Sequence, residues 1–148
     1  MPKLRQLSQE EENELNQYMV FALELVPIVQ DIQEEGFLIV ACHLLIDNFR
    51  DGAPLPEGVS TDDAATWLGV LWAEELCRLA GWRWLYMTLD NGFEGVCVID
   101  ENRSRVCFPI HLIYSWMCDK EKTNECMEFF AKMCKGKPLS KNAFVVMG

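Results

Sequence analysis

The chain has 148 residues, a length that fits one domain, and half of them are apolar, enough for a core and too many for a disordered segment. Its formal net charge is −10, from 23 acidic and 13 basic residues, which argues against a nucleic-acid binder, since neutralising phosphates needs clustered Lys and Arg, and favours a basic partner. Seven cysteines, an odd number, with no apolar leader in MPKLRQLSQEEENEL and no apolar run beyond the ten residues of FLIVACHLLI, point to reduced thiols in a cytoplasmic protein rather than to a secreted disulfide framework or a membrane span.

Ser8 followed by Glu11 is a capping box, so a helix is expected from Gln9. Leu15, Tyr18, Met19, Ala22, Val26 and Val29 form one stripe at helical spacing, interrupted by Pro27, where the helix should kink or restart before ending at Gly36. Leu38, Cys42, Leu45 and Phe49 make a second stripe, stopped by Asp51-Gly52. Residues 1–52 thus read as an N-terminal helical hairpin, and the GAPLPEG that follows reads as a loop.

Ser60 and Asp63 open a central helix with Ala65, Leu68, Trp72, Leu76 and Leu79 on its apolar face, terminated by Gly81. A strand over Trp82–Leu89 comes next. Asn91-Gly92 signals a two-residue type I′ hairpin, which sets Leu89 opposite Glu94, Met87 opposite Val96, Leu85 opposite Val98, Trp84 opposite Ile99 and Tyr86 opposite Cys97. Both faces of that hairpin are apolar or aromatic, so both should be covered, one of them by a partner. Asp100–Arg103 turns the chain into a third strand, Arg105–Phe108. Pro109 opens a helix with Ile110, Ile113, Tyr114 and Met117 on one side and Leu112 and Trp116 on the other. Thr123 should cap a last helix holding Cys126, Phe129, Phe130 and Met133, ended by Gly136 and Pro138, and Phe144–Met147 can add an edge strand. The expected fold is α+β: a three-stranded antiparallel meander packed with about five helices in a single domain, with residues 60–148 supplying a helix, the meander and two helices.

No residue set reads as catalytic. Cys118, Cys126 and Cys134 recur every eight residues, about 12 Å apart per step on a helix, too far to share one metal, so no metal or cofactor is expected. Cys97 and Cys107 can face each other across the second hairpin, but two free thiols are favoured. His43 lies one turn from Asp47 and reads as a solvated pair; a Cys107–His111 dyad has nothing else to support it. Glu75 falls in the middle of the central apolar stripe, where Arg83 or Arg105 on the sheet is its expected partner, while Glu74 is placed to pair with Arg78. The acidic clusters are Glu10–Glu12 with Glu14, Asp31 with Glu34 and Glu35, and Asp62 with Asp63; helix-dipole stabilisation suffices for the first and last, and binding of a basic protein is the sharper reading.

The stretch Leu68–Met117, with Gly69, Ala73-Glu74, Gly81-Trp82-Arg83-Trp84, Asp100 to Arg103 and Pro109, resembles a family of small bacterial domains of unknown function with a helix, Gly-Trp-x-Trp, hairpin and Pro-led helix. Ala73 stands where the family often has Gly. The resemblance covers about a third of the chain, its motifs are structural, and its relatives include candidate immunity proteins encoded beside secreted toxins. The resemblance implies a binding protein. The expected function is therefore that of an immunity protein that neutralises a cognate toxin, a basic partner, through Asp62, Asp63, Trp67, Glu74 and Tyr86. The alternatives are a secretion chaperone or adaptor for an effector, and an enzyme or small-ligand protein using Glu75 with Cys107 or His111.

Overall fold

The computed structural model describes residues 2–26, 37–135 and 145–147. In chain order the elements are β1 (Lys3–Arg5), α1 (Gln9–Leu25), α2 (Phe37–Arg50), α3 (Thr61–Ala80), β2 (Arg83–Thr88), β3 (Glu94–Ile99), β4 (Arg105–Cys107), α4 (Pro109–Cys118), α5 (Cys126–Lys135) and β5 (Val145–Val146). The fold is α+β, with five helices among the described residues. The sheet has five strands in the order β1-β2-β3-β4-β5; the first four are antiparallel to their neighbours and β5 runs parallel to β4. The expected meander is its centre, β2-β3-β4, and two short edge strands extend it. Of the expected features, Pro27, Val29, Gly36, the Asp31–Glu35 cluster, Gly136, Pro138 and Phe144 lie outside the described residues.

Local chemistry sets the helix ends. Ser8 accepts from the Glu11 N–H at 3.1 Å while Glu11 accepts from the Ser8 N–H at 2.8 Å, and Ser60 and Asp63 do the same for α3 at 3.0 and 3.2 Å. α1 stops at Leu25, and Val26 is extended (φ −87°, ψ 116°), as the residue before a proline should be. Gly81 ends α3 in the left-handed region at φ +74°.

α3 is the spine of the molecule and packs against α1, α2, α4 and α5. Its buried surface is wider than the predicted stripe: Ala64, Val70, Leu71 and Ala73 are buried beside Ala65, Leu68, Trp72 and Leu76. Trp72 lies at the centre of an aromatic cluster with Trp116, Phe129 and Phe130, ring centroids 5.6–6.1 Å away, and its indole N–H donates to the Cys126 carbonyl at 3.1 Å. At Gly69 α4 comes so close that a Cβ would stand 2.7 Å from the Ile110 Cα. α4 is buried on both sides, through Leu112, Ile113, Trp116 and Met117, while Tyr114, which shares the stripe of Ile113 and Met117, is exposed.

The hairpin forms, with a different register. The Leu89 N–H donates to the Phe93 carbonyl at 2.7 Å and the Gly92 N–H to the Leu89 carbonyl at 3.0 Å, so the loop has three residues. Gly92 takes φ +89° and Asn91 stays at negative φ, which is a type I turn followed by a left-handed glycine rather than type I′. The extra residue moves every pair by one: Leu85 faces Cys97, Met87 faces Gly95, Tyr86 faces Val96 and Trp84 faces Val98. Trp84, Val98 and Cys107 therefore join the helical core, while Leu85, Met87, Cys97, Ile99, Val106 and Phe108 form a second core on the other face. That second face is buried within the single chain, so no partner is needed to cover it. Cys97 and Cys107 point to opposite faces and cannot pair.

The second turn is held by a buried network. Asp100 accepts from the Ser104 N–H (2.7 Å), the Ser104 hydroxyl (3.0 Å), the Arg105 N–H (3.1 Å) and the Arg105 guanidinium (3.0 Å). Burial alone would raise the Asp100 carboxyl; the backbone hydrogen bonds from Ser104 and Arg105, then their side chains, outweigh it and hold it below the ordinary range.

Candidate functional site

The start of α3, the start of β3 and the start of α4 meet in an open cleft of about 500 Å³. Pro109 at the first helical position turns the chain from β4 directly into α4, so Ile110, His111 and Tyr114 arrive beside the start of β3. Glu94, Gly95 and Val96 on β3 form one wall, and Asp62, Ala65 and Thr66 on the first turns of α3 form another. Phe93, at the hairpin tip, stacks edge-on against Phe108 (5.0 Å) and His111 (5.6 Å). Phe93 and Tyr114 remain 41% and 42% exposed.

Two carboxylates, Asp62 and Glu94, line the cleft, and among the described residues no Lys or Arg does. Glu94 accepts from the Thr88 hydroxyl at 3.3 Å. Arg5 lies within electrostatic reach of Glu94, but its guanidinium is taken up by Glu11, at 2.7 and 3.0 Å, and lies 4.0 Å over the Tyr86 ring. The Tyr114 phenol is raised above its ordinary value by Cys118, through the charge of its thiolate form and a hydrogen bond, and then by the charge of Asp62.

Of the five residues expected to bind a partner, Asp62 alone lines this cleft. Asp63 is engaged in the cap of α3. Trp67 is half-buried and stacks on Phe21 at 5.0 Å. Tyr86 lies under Arg5. Glu74 sits twelve residues from Asp62, about 18 Å along the helix, and accepts from the Trp84 indole at 2.9 Å instead of pairing with Arg78. Arg78 takes Glu75 in a bidentate pair (2.7 and 3.1 Å), so the buried acid is satisfied on its own helix and not by Arg83 or Arg105. The missed cleft residues are Phe93, Glu94, His111 and Tyr114; an aromatic directly after the hairpin turn, and Tyr114 three residues from His111, were the available signals.

The groups weighed for catalysis are held in structural roles. Cys107 is buried in the helical core and burial pushes its thiol up to about 12, the reverse of an activated nucleophile. His43 is half-buried rather than solvated: its Nδ1 accepts from the Met127 N–H and its Nε2 lies 3.4 Å from Asp47, which joins α2 to α5. Asn124, not Thr123, caps α5, accepting from the Cys126 N–H at 3.1 Å while donating to the His43 carbonyl and to Asp47. The Arg50 guanidinium donates to the carbonyls of Trp116, Asp119 and Lys122 and pins the α4–α5 loop. Among the described residues no buried side-chain polar atom lacks a hydrogen bond, no group of three His, Cys, Asp or Glu could hold a metal, and no helix is long and apolar enough to cross a membrane. All seven cysteines are free. Comparison of the chain with protein-family models, with curated proteins and with solved structures found no match to any of them.

Proposed function

We propose that this chain is a protein-binding protein that uses the α3–hairpin–α4 cleft to engage a basic partner, acting as an immunity protein that neutralises a cognate toxin by direct binding in a reducing cytoplasm. One observation supports this above the rest: exposed Phe93 and Tyr114 stand beside Asp62 and Glu94 in a concave surface that no Lys or Arg among the described residues lines. Aromatic anchors in a cleft supply affinity, and acids at its rim supply association rate and specificity. The net charge of −10 extends the same field over the whole molecule.

The adaptor reading would have the sheet edge take up an extended segment, but the edge strands β1 and β5 span three and two residues and offer little ladder. The test is a pull-down from the native host with identification by mass spectrometry, followed by protection of cells on co-expression with the toxin so identified. Wild-type protein should rescue growth and bind the purified toxin. Phe93→Ala/Tyr114→Ala should weaken binding by roughly 2 kcal/mol or more, as loss of hot-spot aromatics does. Full protection and unchanged affinity in that folded variant would remove the cleft from the interface.

A further inference from the structure

We infer that the cleft receives one arginine side chain presented by the partner, its guanidinium seated against the Phe93 and Tyr114 rings between the carboxylates of Asp62 and Glu94. This rests on the protein-binding reading above and names the group recognised.

An anionic ligand is disfavoured because two carboxylates and, among the described residues, no Lys or Arg line the space. A purely apolar ligand would match Phe108, Val96 and Ile110 but would strip water from Asp62 and Glu94 with nothing in return. A cation satisfies both halves: aromatic faces attract it and the acids neutralise it. Arginine suits the site better than lysine, since a planar guanidinium can stack on a ring and still present its N–H fork to a carboxylate.

The same chain builds this arrangement twice from its own residues. Arg5 lies 4.0 Å over the Tyr86 ring while bonded to Glu11, and Arg105 lies 5.1 Å over the Trp82 ring while bonded to Asp100. In the cleft the ring and the acids are present and the arginine is the missing member.

The test uses the full chain, 15N-labelled, titrated with N-acetyl-arginine amide and with its neutral isostere N-acetyl-citrulline amide, following the backbone amides of Thr66, Gly95, Val96 and His111. The arginine compound should give saturable shifts at these positions, and the citrulline compound should bind about fivefold or more weakly. Asp62→Asn and Phe93→Ala should each weaken the arginine compound while leaving resonances remote from the cleft in place, which shows that the variants are folded. Equal binding of the two compounds, or no saturable shift in the cleft, overturns the inference. If the partner still binds wild-type protein in that event, only this inference falls. If the compound binds and the partner ignores both substitutions, the cleft is not the interface, and this inference falls together with the cleft reading.

Discussion

Replacing Gly69 with alanine sets two effects of known size against each other. In an open helix the change is favourable by about 1 kcal/mol, because alanine has the higher helix propensity. At this position the new Cβ would stand 2.7 Å from the Ile110 Cα and 2.9 Å from its backbone N, with the Ile110 Cγ1 at 3.1 Å. Ordinary carbon contacts lie at about 3.5–4.0 Å, so α4 must retreat by roughly 1 Å. Overpacking of this kind costs about 1–3 kcal/mol and here exceeds the propensity gain, because the obstacle is backbone that no rotamer change can move aside. With backbone as the obstacle the cost falls at the upper end, about 2–3 kcal/mol, so Gly69→Ala is expected to lower stability by a net ~1–2 kcal/mol, a fall in Tm of roughly 2–8 °C at this chain length. Urea denaturation and calorimetry measure it. Ile110→Ala added to Gly69→Ala should not restore the loss, since it removes the side chain and leaves the clashing Cα and N. The retreat of α4 also carries Ile110, His111 and Tyr114 away from β3, so partner affinity should fall with stability. Unchanged or raised stability in Gly69→Ala would refute the close α3–α4 approach.

Asp100→Ala should cost about 3–5 kcal/mol in urea denaturation, because it leaves the buried Arg105 charge and the Ser104 and Arg105 donors without their acceptor; a loss below about 1 kcal/mol would mean that the turn reorganises freely. Without denaturant, Cys118 and Cys134 should react with a thiol reagent first, while Cys97 and Cys107, whose thiols burial pushes up to about 12, react only on unfolding. Denatured protein without reductant should titrate all seven, and four or fewer would contradict free thiols. Acid should destabilise the fold in a defined window. The Glu11 carboxyl is lowered to about 2 by its hydrogen bond from Arg5 and then by the Ser8 N–H, and Asp100 is lowered as well. Depressed carboxyls stabilise the folded state above their unfolded pKa of about 4 and lose that contribution as pH falls through the folded value. Tm should thus be level near neutrality and drop between pH ~4 and ~2, less steeply in Glu11→Gln; an identical acid profile for that variant would remove Glu11 from the linkage.

What the sequence made legible was local. Ser8 with Glu11 and Ser60 with Asp63 give helix starts because a cap needs only the residues within one turn. Gly81 and Pro109 mark a stop and a start for equally local reasons. The hairpin was legible and its register was not, since Asn91-Gly92 serves a two-residue or a three-residue loop, and only the Leu89–Phe93 bond distinguishes them. β1 was missed because three residues are too few to show alternation. The carboxylates of α3 were assigned to the wrong partners: a helical wheel gives the direction of Glu74 and Glu75, but not that Trp84 would bring its indole to the first and leave Arg78 to the second. Nothing local could announce the cleft, because Asp62, Phe93 and Tyr114 belong to three elements that meet only after α3 and α4 have packed at Gly69.

The claim that this cleft binds a basic partner is tested most directly by the association rate of an Asp62→Lys/Glu94→Lys variant with that partner, measured by stopped flow across a range of salt. Asp63 is left intact because it caps α3, whereas Asp62 and Glu94 are exposed and their reversal should leave thermal stability nearly unchanged. At low salt the variant should associate at least about tenfold more slowly than the parent, and the difference should shrink as salt screens the charges. Equal rates at low salt, with both proteins folded, would contradict the cleft as the interface.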